Sequence, residues 1–369
     1  MLNIVDPEAL GSKLYVLPNE RGGSNSGGCK GCEAYRPEPQ LNGALSADPD
    51  IELLSPGMNV DIALYYNSST ERAAPIVNGP VGYCRNLSPL MSATMYTSGL
   101  GVVIQRGNGA LVSYTLSGGV WTARTAGVLN TISVDVTSGD VMETTPEGVS
   151  TVYPGNAGLP QPVSRVQDAV GNIHSYLYSG GKLQNIQDGA GRLVSFLYSG
   201  SLLQTIEDWA GRRTTFQFDT VSASPLNLLT TVIGPTGCQT GYQYAKLGSG
   251  HTADWLLTGI TDPNGFQTQY TYSAGQQVLT KAVSGAGTTS YAYFTGGMTI
   301  ENALGQITTQ LTNDTFANTG NVDALGNRTT VTLNSNNQVV STENPLGATA
   351  TNIWSGGMLI GQINPLGYQ

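Results

Sequence analysis

The sequence predicts an all-β protein, an array of stacked antiparallel β-hairpins that forms a curled or spiralling sheet. Three observations carry that expectation. The second half of the chain repeats with a period of about 20 residues, each unit opening on an Asp/Asn-x-x-Gly turn and continuing into two aromatics two positions apart. The composition, with 48 Gly, 18 Tyr against 6 Phe and only 11% charged residues in 369, is that of many short strands joined by tight turns. The first half shows alternating apolar runs broken by hairpin signals such as Arg106-Gly-Asn-Gly109.

Three segments follow in order. Residues 1–50 read as a flexible N-terminal segment, with the run Arg21-Gly-Gly-Ser-Asn-Ser-Gly-Gly28, the pair Cys29-Lys-Gly-Cys32, and Pro37, Pro39 and Pro49. Residues 51–155 read as a β region preceding the repeats, with strands expected at Val102–Ile104, Ala110–Leu116, Thr131–Val136 and Val149–Tyr153. Pro154, Pro160 and Pro162 mark a joint, and the repeat array occupies 163–369.

Within the array, Asp or Asn at the first turn position and Gly at the fourth suit a type I turn closed by a left-handed residue. The turns are Asp168-Ala-Val-Gly171, Asp188-Gly-Ala-Gly191, Asp208-Trp-Ala-Gly211, Asp262-Pro-Asn-Gly265, Asn302-Ala-Leu-Gly305, Asp323-Ala-Leu-Gly326, Asn344-Pro-Leu-Gly347 and Asn364-Pro-Leu-Gly367; Gly234-Pro-Thr-Gly237 departs only at its first position. Counted from the turn glycine, the aromatics fall at +5 and +7 and so share one face of a strand. They are Tyr176/Tyr178, Phe196/Tyr198, Phe216/Phe218, Tyr242/Tyr244 and Tyr270/Tyr272, with Tyr291/Tyr293 in a unit whose turn has degenerated. Later units drift to Gln310/Thr312, Val331/Leu333 and a lone Trp354.

A second turn, such as Ser179-Gly-Gly181, leads into a return strand such as Leu183-Gln-Asn-Ile186, so each unit is one hairpin. Leu183 and Ile186 are three apart, which a regular strand places on opposite faces; a bulge is one arrangement that would reconcile them, and the sequence alone does not fix it. About ten hairpins at ~4.8 Å per strand span on the order of 100 Å, too wide to stay flat. The sequence stops just after a fresh turn, which leads us to expect a fragment of a longer array or an edge covered by another segment or chain.

The turn and aromatic motifs of residues 168–369 resemble, unit by unit, the tyrosine-aspartate (YD) repeats of the rearrangement-hotspot (Rhs) family, shared with teneurins, wall-associated proteins and the shell subunits of insecticidal toxin complexes. Residues 51–153 are similar to the segment preceding such arrays in bacterial members, through Leu64-Tyr-Tyr-Asn-Ser-Ser69 and Pro146-Glu-Gly-Val-Ser-Thr-Val-Tyr153. The resemblance implies a sheet that spirals into a hollow shell, here a partial one, which in bacterial members encloses a toxic C-terminal domain. This sequence shows no such effector domain and fewer repeats than a closed shell needs. The expectation is a non-enzymatic shell or scaffold segment, partnered by further shell segments or an effector cargo and sited outside the cell or at its surface. The alternative is a cell-surface or secreted adhesin that stacks glycans on the same aromatic ladder.

Other classes are excluded or weakly supported. A formal charge of −9 and scattered basic residues argue against nucleic acid. No apolar run is long enough for a membrane-spanning helix, and Met1-Leu-Asn-Ile-Val-Asp-Pro7 lacks a signal-peptide pattern. Cys29 and Cys32 suit a local disulfide or free thiols better than zinc, which needs two further ligands, or redox catalysis, which needs a lowered thiol pKa. His174 stands at +3 from its turn glycine, where other units hold Val194, Thr214 or Thr268, so it reads as a strand position; His251 sits in an inserted loop. Family members that cleave themselves do so near Asp-Pro-x-Gly, but Asp262-Pro-Asn-Gly265 precedes Tyr270 and Tyr272 in their normal slots and reads as a repeat turn. No catalytic constellation and no cofactor motif is found.

Overall fold

The computed structural model describes residues 58–369, apart from 68–77, 108, 125–127, 221–225, 247–254, 315–316 and 356–357, together with the short strands Glu38–Pro39, Leu45–Ala47 and Asp50–Leu53. Among the described residues there is no helix. One antiparallel sheet of 22 strands runs from Thr131–Val134 to Met358–Ile363. Its strands pair in sequence order, and its two end strands do not meet, so the sheet is open. At ~4.8 Å per strand its arc is about 100 Å, and twist makes it curl.

The sheet continues across the expected joint. Thr131–Val134, Val141–Thr144 and Ser150–Tyr153 form its first three strands, and only Gln161–Pro162 leaves it, to pair with Ser92–Met95. That last pair belongs to a five-stranded sheet with Gly101–Gln105, Leu111–Ser117 and Val120–Ala123. The hairpin expected at Arg106–Gly109 is present, with Gln105 opposite Leu111 and the Gly109 N–H donated to the Arg106 carbonyl at 2.8 Å. In the other five-stranded sheet, Val60–Asn67 pairs with Leu45–Ala47, Asp50–Leu53 and Arg85–Leu87.

The turn chemistry explains why the repeat begins with Asp or Asn. In Asp168-Ala-Val-Gly171, one carboxylate oxygen accepts the N–H groups of Val170 and Asn172 at 3.0 and 2.8 Å. The other oxygen takes the fifth residue's side chain: Asn172 on Asp168, Arg192 on Asp188, Arg212 on Asp208 and Asn327 on Asp323. Asn302, Asn344 and Asn364 make the same backbone pair with their single side-chain oxygen. The fourth residue has φ between +75° and +94° in all nine turns, a region open to Gly and strained for other residues.

The bulge is real and periodic. In the first complete hairpin Tyr176 lies opposite Ile186, Leu177 opposite Asn185, and Tyr178 opposite Leu183, so Gln184 is the extra residue. That single insertion turns both Leu183 and Ile186 to the face of the two aromatics. The register shifts at the residue before the +7 slot in seven further hairpins, from Leu197/Tyr198 to Ile353/Trp354. The hairpin carrying Tyr291 and Tyr293 pairs without a shift.

Two cores result. The larger packs Val60, Ile62, Leu64, Tyr66, Val81, Tyr83 and Leu87 onto the aromatic face of the array from Leu183 to Met298. The smaller holds Val102, Ile104, Val112, Tyr114, Val141, Tyr153 and Val163 between the five-stranded sheet and the first strands of the large one. A buried ion pair crosses this second junction. Glu143 accepts both terminal nitrogens of Arg106, the Tyr114 hydroxyl at 2.6 Å and the Asn130 amide at 3.1 Å. With four donors on one carboxylate, the charge is matched by charge-assisted bonds on a group that is 2% exposed.

Candidate functional site: the aromatic inner face

The +5 residues Phe196, Phe216, Tyr242, Tyr270 and Tyr291 are buried, and Tyr176 is half-buried. The +7 residues Tyr178, Tyr198, Phe218, Tyr244, Tyr272 and Tyr293 are all half-buried. All twelve lie in or against the larger core, which is built on one face of the sheet. The ladder is therefore mostly the floor under the chain's own N-terminal strands.

Those strands bind the array through backbone groups opposite the +7 slots. Leu203 lies opposite Tyr198 and donates its N–H to the Pro80 carbonyl at 2.7 Å. Leu257 lies opposite Tyr244 and donates its N–H to the Tyr66 hydroxyl at 3.0 Å, while its carbonyl accepts the Tyr272 hydroxyl. Trp354, in the same slot as Tyr272 and likewise 15 residues beyond its acceptor, donates Nε1–H to the Val339 carbonyl at 2.9 Å. Between these contacts Gly82 has φ +95°, and a Cβ there would stand 2.7 Å from the Asn227 carbonyl, so the loop reaches the sheet only as glycine.

Arg85 is the group that the sequence reading missed. It is 2% exposed, its Nε donates to the Tyr244 hydroxyl at 2.9 Å, and its guanidinium lies 4.1 Å from the Tyr242 ring centroid and 5.3 Å from that of Tyr66. Among the described residues no carboxylate pairs with it, and one terminal nitrogen has no hydrogen-bond partner. Stacking on desolvated aromatic faces, worth about 2 kcal/mol each, offsets part of the cost of burying an always-charged group. Its parity was the available signal: Arg85 and Leu87 share one face of their strand, with the charge where an apolar residue is expected.

His174 is in its strand and 3% exposed, with Nε2 unpartnered. Burial holds its pKa below 6.5, against the opposing pull of a hydrogen bond to the Met58 backbone and of the charges of Asp188, Asp61 and Asp168. Burial likewise raises the pKa of the ladder phenols, that of Tyr244 and Tyr198 to about 12. Tyr178 and Tyr198, with Lys182 and Leu183, line a cavity of about 350 Å³ whose far side is Pro80, Leu90 and Met91. The Tyr178 hydroxyl there has no hydrogen-bond partner among the described residues, and the Lys182 ammonium lies 5.4 Å from the Tyr198 ring centroid.

The Cys29 and Cys32 pair and His251 lie outside the described residues, as does residues 1–50 apart from the strand residues at 38–39, 45–47 and 50. Cys238 is disulfide-bonded and Cys84 is buried. Among the described residues no group of three or more His, Cys, Asp or Glu is placed to hold a metal ion. Asp262-Pro-Asn-Gly265 has the hydrogen bonds of the other repeat turns.

A family model described as RHS Repeat matches residues 253–289, the stretch that includes strands Trp255–Thr261, Gln267–Tyr272 and Val278–Val283. Residues 253–289 thus carry an RHS repeat. No curated protein matches it in sequence. Among solved structures, TcdB2-TccC3 without its hypervariable C-terminal region is similar at 11% identity and a TM-score of 0.36, over 86% of this chain and 19% of that one. The N-terminal domain of effector protein SpvB from Salmonella typhimurium strain LT2 is similar at 14% identity and a TM-score of 0.24, over 66% of this chain and 94% of that one. The Photorhabdus luminescens Tc holotoxin pore with TccC3-D651A gives 11% identity and a TM-score of 0.16, over 90% and 22%. The chain thus spans less than a quarter of the TcdB2-TccC3 and Tc holotoxin chains it matches.

Two outcomes follow from this packing. Replacing Arg85 by Lys removes the planar stack and the Nε bond while leaving a buried charge, so the thermal midpoint falls by several degrees, an effect of about 2 kcal/mol or more. Arg85→Met, which keeps the stem and drops the charge, falls less; a larger loss in Met than in Lys rejects the stacking account. Because the folded pKa of His174 lies below 6.5, the unfolded chain binds the extra proton, and the stability His174 contributes at neutral pH is lost as the pH drops through and below 6.5. His174→Val, the residue of the next repeat, flattens the thermal midpoint between pH 7.5 and 5.5; an unchanged slope shows that another group titrates.

Proposed function

We propose that this chain is a wall segment of an Rhs-type shell, a non-enzymatic casing for a polypeptide effector in antagonism between cells, acting outside the cell or at its surface. One observation carries the reading. The aromatic face shares one buried core with the chain's own N-terminal strands as far as Met298, whereas beyond it Ala317 is the one buried apolar side chain among the described residues. The aromatic ladder is thus spent on building the wall, and the face beyond it is free to border a contained chain. The matched family is a repeat family, and the N-terminal strands supply the closure that a one-dimensional array needs at an end.

Electron cryomicroscopy of the natural gene product, purified from its source, tests this. A curled shell with polypeptide density inside is expected, and an open sheet with an empty inner face rejects it.

The second reading, a carbohydrate-binding module, is favoured by the cavity at Tyr178 and Tyr198. There the tyrosines stay partly accessible, and polar groups stand beside apolar walls. It predicts saturable binding on a glycan array that Tyr198→Ala abolishes. Silence on the array, or binding that survives this change, removes it.

A further inference from the structure

Eight of the nine repeat turns open on Asp or Asn. In five of them the fifth residue's side chain closes on that first one: Asn172, Arg192, Arg212, Gln306 and Asn327. Gly234-Pro-Thr-Gly237 has no side chain at its first position and cannot be clasped in that way. Its backbone is ordinary, with the Gly237 N–H donated to the Gly234 carbonyl at 2.9 Å and the Gly234 N–H to the Cys238 carbonyl at 2.8 Å. The fifth residue is Cys238, half-buried, whose sulfur accepts the Thr236 hydroxyl at 3.2 Å and is disulfide-bonded. The turn that lacks the clasp thus carries a covalent bond that leads away from it.

The other end of that bond follows from position and number. The sequence has four cysteines. Cys84 is a buried thiol in the larger core, beside the Tyr66 and Tyr244 phenols. Gly82, two residues before it, stands against the Asn227 carbonyl at one end of strand Asn227–Ile233, and the Gly234 turn is at the other end. Those ends are about 20 Å apart, whereas a disulfide joins Cα atoms within about 7 Å of each other. Cys84 is therefore not the partner, and Cys29 and Cys32 remain.

We propose that Cys238 is bonded to one sulfur of Cys29-Lys-Gly-Cys32, a strap that pins the N-terminal segment to the rim of the array. The chain is long enough. Strand Glu38–Pro39 pairs with Leu45–Ala47 and that strand with Val60–Asn67, whose Tyr66 accepts the N–H of Leu257, opposite Tyr244. Cys238 lies six residues along the chain from Tyr244, about 20 Å, and the six residues from Cys32 to Glu38 extend to about the same length. Strap and core then fix the same strand, because Cys238 stands just before Gln239–Lys246, whose Tyr242 and Tyr244 hold Arg85. Closing the bond removes two protons and two electrons from two thiols, and an external disulfide takes them up and leaves as two thiols. Such a bond persists outside the reducing cytosol, so it suits a chain that works outside the cell, and it stands whether or not the chain is a casing.

Tryptic mapping of the whole chain, equilibrated with reduced and oxidised glutathione and alkylated in acid without reduction, tests the strap. Cleavage after Lys30 puts Cys29 in 22–30 and Cys32 in 31–72, because trypsin leaves the Arg36–Pro37 bond intact; Cys84 falls in 73–85 and Cys238 in 214–246. The expected product is 214–246 joined to 22–30 or to 31–72, separated by dithiothreitol. In the double variant Cys29→Ser with Cys32→Ser, Cys238 is expected alkylated. The wild-type map decides by itself should that variant fold poorly. Recovery of wild-type Cys238 as the alkylated thiol overturns the proposal, and so does its linkage to 73–85 or to a second copy of 214–246.

Discussion

The extra residue in the return strand of each hairpin is the constraint on which the rest depends. A two-residue period can place Tyr176 and Tyr178 on one face, but it cannot place Leu183 and Ile186 there as well. The shift after Leu177 does so, and the inner face gains four large apolar groups per hairpin where an unshifted pair gives fewer. It also loosens the ladder at the +7 level. There the N–H groups of Leu203 and Leu257 are given to Pro80 and Tyr66 rather than to a neighbouring strand. The same irregularity that fills the face supplies the sockets that the N-terminal strands dock on.

Docking fixes the character of the inner face. A wide single sheet with a bare aromatic face is an aggregation hazard, and here Val60–Asn67 and Arg85–Leu87 cover it over the stretch where the aromatics are. Arg85 is the odd member of that cover. A neutral residue of similar shape fills the same volume without desolvating a charge, so packing alone does not select arginine. What arginine adds is a flat face against Tyr242 with an edge bonded to Tyr244.

Much of this was legible in the sequence, and the boundary is physical. Turns were readable because their chemistry is local: an Asx oxygen, a left-handed Gly and a fifth residue within reach. The aromatic slots were readable because strand periodicity is local too, whereas the three-residue spacing of Leu183 and Ile186 left a bulge as one option and did not fix it. The fate of the ladder was not readable. Whether Tyr242 faces a ligand or Arg85 depends on a contact across 157 residues, and no periodicity encodes it. Glu143 was hidden for the same reason, since its partners Arg106 and Tyr114 stand on another sheet. The three prolines suggested a joint, yet the sheet passes over them, because a detour through Gln161–Pro162 costs the ladder nothing when Ser150–Tyr153 pairs directly with Arg165–Gln167.

The drift of the repeat toward its later units follows from the same cover. Where the N-terminal strands lie, the +5 and +7 slots are aromatic; where no described strand lies over them, they become Gln310 and Thr312, Val331 and Leu333, Asn352 and Trp354. A slot under cover gains about 25 cal/mol for each Å² of apolar surface it hides, so large rings are favoured there. The later slots are half-buried between their neighbours in the sheet, and there polar and small apolar groups suffice, the polar ones bonding along the sheet, as the Asn352 amide does to the Val339 carbonyl. Trp354 survives in this stretch because its indole N–H bonds to the same carbonyl. Degeneracy that looks like loss of the motif is thus an adjustment of each hairpin to what lies over it. The last four turns, whose chemistry owes nothing to cover, keep their Asx and Gly.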